Sequence, residues 1–147
     1  MSYVTGLTTA EIAVMTSAQI AALGTSDIIA FTTDQLQAFT TLQIHSYFST
    51  LDIAALTTQQ LNEGLNTDQI VALTAAEVGA LTTAQINQGL STDQVAALTT
   101  AQVQALHTGQ IVALNTTQIN LGLSTDDIVA LTTAQVAALS TSQTRLG

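Results

Sequence analysis

Ten carboxylates, two histidines and many hydroxyls are the groups in this 147-residue chain that could carry chemistry. Carboxylates act as general acids and bases, or hold a hard cation when several oxygens converge. Nine of the ten acids recur at the third or fourth place of a short repeating unit: Glu11, Asp27, Asp34, Asp52, Asp68, Glu77, Asp93, Asp126 and Asp127, leaving only Glu63 elsewhere. Asp126-Asp127 is the best cation candidate by sequence, but no glycine-rich calcium loop accompanies it. His45 and His107 are far apart and there is no Cys, so no zinc pattern exists. No Gly-x-Ser-x-Gly supplies an activated serine, and the glycines form no phosphate loop. These residues predict no catalytic centre, no metal and no cofactor. The expectation is a protein that is not an enzyme.

What must position those acids is a repeat. Residues 8–147 divide into seventeen units of eight or nine residues behind a lead-in of residues 1–7, which makes one repeat domain. A typical unit reads Thr99-Thr100-Ala101-Gln102-Val103-Gln104-Ala105-Leu106. Position 1 is Thr, Ser or Asn except at Gly24 and His107, and position 4 is always Gln, Glu or Asp. Position 5 is Ile, Val or Leu except at Thr144, and the last position is Leu, Met or Phe except at Gly147. A hydroxyl followed three residues later by Gln or Glu is the capping box that starts a helix, and the apolar residues at N′ and N4 form the hydrophobic staple. Thr8, Thr16, Thr32, Thr99 and Thr132 are therefore structural caps, and Gln19, Gln35, Gln102 and Gln135 return the bond. The acids at positions 3 and 4 fall in the first helical turn, where a carboxylate is stabilised by about 0.3–1 kcal/mol.

One continuous helix does not fit, because eight residues overshoot two turns by about 80° and no stripe keeps a constant direction. A β-solenoid is the alternative, since Thr, Ile and Val favour strands. Ala and Gln at positions 3 to 7, and large apolar residues three apart as in Val103 and Leu106, favour helix. The fold class expected is all-α: a solenoid of helices about six residues and 9 Å long. Four units have nine residues, and in three of them Gly64, Gly89 or Gly122 precedes the closing Leu. These glycines read as helix stops with positive φ, marking sharper turns of the chain. Phe31, Phe39 and Phe48 take the closing position, with Tyr47 beside them, either as core substitutions or as an exposed patch used in assembly.

Composition narrows the partners. The net charge is −9 with Arg145 as the only basic side chain, which argues against nucleic acid and anionic membranes. No apolar run is long enough to span a membrane, and residues 1–5 lack a secretory signal. The Leu-Thr-Thr-Ala-Gln-Val-x-Ala-Leu runs at 98–106 and 131–139 resemble low-complexity arrays of very large bacterial exoproteins, described as adhesion or haem-utilisation exoproteins. The resemblance implies an extended, non-catalytic region of a secreted or cell-surface protein. The haem half of that description finds no motif, because His45 and His107 are the only histidines. The function expected is a structural stalk, filament or adhesin segment that self-associates end to end. The alternative is a binding module whose position-2 hydroxyls, present in every unit but that of Ala75, face ice or a polysaccharide.

Overall fold

The computed structural model describes residues 3–144. Each unit forms one short helix, from Thr9–Ala13 to Thr141–Thr144, and the described residues contain no strand. Helices this short do not persist alone in water, so packing must hold them. Most neighbouring helices are joined by two extended residues, the closing apolar residue and the next cap. Leu98 (φ −59°, ψ 137°) and Thr99 (φ −74°, ψ 155°) are typical. Two such residues turn the chain without any positive φ, and none occurs among the described residues.

Three helices complete one coil, because each packs against the third helix along the chain. One stack runs Thr33–Gln37, Thr58–Gly64, Gln85–Gly89, Thr108–Ala113. A second runs Thr41–Tyr47, Thr67–Ala72, Thr92–Ala97, Gln118–Gly122. The third runs Thr25–Ala30, Thr50–Ala55, Ala75–Ala80, Thr100–Ala105, Thr125–Ala130. Beneath this third stack the lead-in adds a 3₁₀ turn at Tyr3–Gly6, with Val4 fully buried. Counted from Gly24, the coils are 24–48, 49–73, 74–98 and 99–123, all of 25 residues and each containing one nine-residue unit. The uneven spacing of long units thus conceals a constant coil length. The molecule is an all-α repeat solenoid; the β alternative has no support.

The core is one continuous column. Position 5 is at most 6% exposed from Ile12 to Ile119, and most closing residues are buried with it. Phe31, Phe39 and Phe48 belong to this column at 3%, 3% and 7% exposure, so they are not an assembly patch. Their rings meet edge to face at 5.3 and 5.0 Å between centroids, a favoured aromatic geometry. Only Tyr47 of that group is exposed.

The glycines are not stops either. Gly64, Gly89 and Gly122 are the last helical residues of their units and have no positive φ, and the extended residue that follows each is Leu65, Leu90 or Leu123. The ninth residue is absorbed by a longer or wider helix rather than by a tighter corner. In two units the last turn is a π-helix, at Gln85–Gly89 and Gln118–Gly122, and the Leu90 amide donates to the Gln85 carbonyl at 2.8 Å. A widened turn carries its backbone towards the helix below. A Cβ on Gly64, Gly89 or Gly122 would stand 2.9 Å from Leu36, 3.0 Å from Leu61 or 2.7 Å from Val95. Close approach, not φ, requires glycine there.

Candidate functional site

The groups that converge are the position-4 side chains, which line the three corners where the chain passes from one helix to the next. The caps form as a reciprocal pair: Gln102 N–H donates to Thr99 Oγ1 at 3.3 Å, and Thr99 N–H donates to Gln102 Oε1 at 2.8 Å. The same box occurs at Thr8 with Glu11, Thr16 with Gln19, Thr32 with Gln35, and Thr132 with Gln135. At Gly24 and His107 no cap side chain contributes. There the N3 amides of Asp27 and Gln110 donate instead to the cap carbonyls, at 2.8 and 2.9 Å.

Glutamine has a second task. Its amide nitrogen reaches the coil below and donates to backbone carbonyls at a helix C-terminus. Gln94 Nε2 meets the carbonyls of Leu61 and Leu65 at 2.8 and 2.6 Å. Gln60 meets those of Ile28 and Phe31 at 2.9 and 2.8 Å, and Gln102 those of Ile70 and Leu73 at 3.0 and 2.7 Å. One side chain therefore closes an N-terminus and a C-terminus in different coils, satisfying groups that every helix leaves unpaired. These glutamines are buried, Gln69 to 1% and Gln118 to 2%. A second set of ties runs to the coil above from position 6. Gln37, Asn87 and Gln104 donate to the carbonyls of Glu63, Ala113 and Ala130, and His45 Nδ1 lies 2.8 Å from the Ala72 carbonyl oxygen.

The three corners differ. One carries Gln35, Gln60, Gln85, Gln110 and Gln135; another carries Gln43, Gln69, Gln94, Gln118 and Gln143. The third carries Asp27, Asp52, Glu77, Gln102 and Asp127, spaced 25 residues apart. Asp52, Glu77 and Asp127 have no donor and bond within their own caps, to Ser49, Thr74 and Ser124. Glu77 is 3% exposed, and burial raises its pKa above the usual carboxylate value against the lowering effect of its Thr74 bonds. Glu11 is exposed, and the same cap bonds, from Thr8, hold its pKa down. The chemistry this arrangement performs is mechanical: it clamps coil to coil.

The other sequence candidates disperse. Asp127 is buried under Ser124 while Asp126 is exposed, and no group of three or more His, Cys, Asp or Glu among the described residues is placed to hold a metal. Position-2 residues such as Thr25, Thr41 and Thr83 are exposed but are divided among all three stacks. Arg145 and Gly147 lie outside the described residues. No helix among the described residues is long and apolar enough to cross a membrane.

Short helices wound in threes and clamped by corner amides define a helical repeat solenoid. The chain belongs to the ALTTAQ repeat family, whose model matches residues 4–33, 80–108 and 104–141, together more than half its length. No curated protein and no solved structure matches it.

Proposed function

We propose that this chain is a non-catalytic structural element, an extended stalk or filament segment outside the cell or on its surface, that lengthens by stacking end on end. The observation that carries the reading is the contrast in position 5 along the array. Upstream it is sealed beneath the next coil, whereas Ile128 and Val136 are 42% and 49% exposed. They extend the same apolar column on which every earlier coil is laid. At the opposite end Gln19 is exposed, and its amide nitrogen meets no carbonyl below. A second copy seated there supplies what each face lacks: apolar cover for one, carbonyl acceptors for the other. With no Lys or Arg among the described residues, such packing rests on no Lys or Arg ion pair, so salt does not weaken it. The extracellular placement and adhesin-type role rest on the resemblance to bacterial exoprotein arrays.

Light scattering during size exclusion, with negative-stain images, tests the reading. The parent chain should form linear oligomers as concentration rises, and the double substitution Ile128→Asp, Val136→Asp should hold it as a monomer. A parent that stays monomeric at every concentration overturns it.

A further inference from the structure

Glu77 occupies a place that glutamine fills in most units, and the equivalent glutamines define what that place requires. Gln94 is the nearest counterpart, because the unit four before it also has nine residues. Its acceptors, Leu61 and Leu65, lie 33 and 29 residues earlier. The same register from Glu77 gives Ile44 and Phe48, at the C-terminal end of helix Thr41–Tyr47. The Thr74 N–H donates to Glu77 Oε2 at 2.6 Å, as the Ser91 N–H donates to Gln94 Oε1 at 2.9 Å. One carboxyl oxygen therefore does the capping work, and the other is the chemical counterpart of the glutamine's donor nitrogen. An ionised carboxylate has no hydrogen to give there, whereas a protonated one has a hydroxyl.

We propose that Glu77 is a proton-operated latch between two coils: protonated, its hydroxyl donates to the Ile44 or Phe48 carbonyl; ionised, it releases that tie. The proton comes from water and no covalent bond other than O–H changes. Asp52, one coil below in the same corner, favours the proton by repulsion. His45, on helix Thr41–Tyr47, opposes it when charged. Tyr47 is the other titratable group of that helix, His107 stands beside Gly79, and Thr100–Ala105 above has none. Burial raises the affinity of folded Glu77 for its proton above that of the unfolded chain. The stabilisation is thus complete below the ordinary carboxylate range and fades as pH climbs through the raised value. Acid tightens this joint, opposite to the usual effect on a paired carboxylate.

Thermal unfolding followed by circular dichroism at pH 4 and pH 7 decides it with two substitutions. Glu77→Gln should raise Tm by about 3 °C at pH 7 and leave it nearly unchanged at pH 4. Gln94→Glu should install the dependence in a glutamine corner, lowering Tm at pH 7 and recovering most of the loss at pH 4. If Gln94→Glu is unfolded at pH 7, folding at pH 4 is the same recovery. A Glu77→Gln chain with the parent's pH dependence, or one stabilised equally at both pH values, overturns the proposal.

Discussion

The two glutamine corners and the acidic corner have the same backbone and the same caps, yet they join coils differently. At Gln60 a buried amide bonds its own Thr57 cap and three carbonyls of the coil below. At Asp52 the carboxylate bonds Ser49 alone. Capping needs only an acceptor, and an acid provides it as well as an amide does. Joining coils needs a donor as well. The difference separates two jobs that one side chain usually performs together, and it leaves one edge of the solenoid, except at Gln102, fastened more loosely than the others.

The largest test removes the double role. Gln60→Leu strips the Thr57 amide and two buried carbonyls of their partner and should cost about 3 kcal/mol or more in urea unfolding. Asp52→Ala should cost about 1 kcal/mol, the value of a cap. Equal losses would erase the distinction between corners. An intermediate effect is expected where helices approach most closely. Gly122→Ala forces a Cβ to 2.7 Å from Val95, so overpacking should cost about 1–3 kcal/mol. Gly109→Ala meets nothing within 4 Å and should gain about 0.5–1 kcal/mol from helix propensity. The smallest change sharpens the comparison from the other side. Asp127→Gln keeps the Ser124 cap and adds a donor towards the Val95 and Leu98 carbonyls, so a gain of about 1 kcal/mol is expected. Gln102 already makes such a tie in this corner, so no gain at Asp127 would mean that the inter-coil tie adds nothing to the cap.

Much of the fold was legible because its signals are local. A Thr, a Gln three residues on and an aliphatic after it specify a helix start without reference to any other unit. The number of helices per coil was not legible, since the step from Leu98 to Thr99 looks the same however many sides the coil has. The second task of glutamine left a trace that went unread: a capping box works equally well with Glu, yet twelve of seventeen units use Gln. That bias asked for a donor. Gly64, Gly89 and Gly122 were misread because glycine before an apolar residue suggests a stop, while its cause lies on another helix at Leu36, Leu61 and Val95. Phe31, Phe39 and Phe48 share the closing position with Leu, which leaves both a core role and an exposed patch open, and their burial decides for the core.

The constant 25-residue coil also sets how such an array can grow. Inserting 25 residues leaves every downstream side chain on its original edge, with acids above acids and amides above amides. Inserting a single eight-residue unit rotates everything after it by a third of a turn and scatters the carboxylates onto a different edge. Length can therefore change freely only in whole coils, as a screw is lengthened by complete threads, if the loosely fastened edge is to remain continuous.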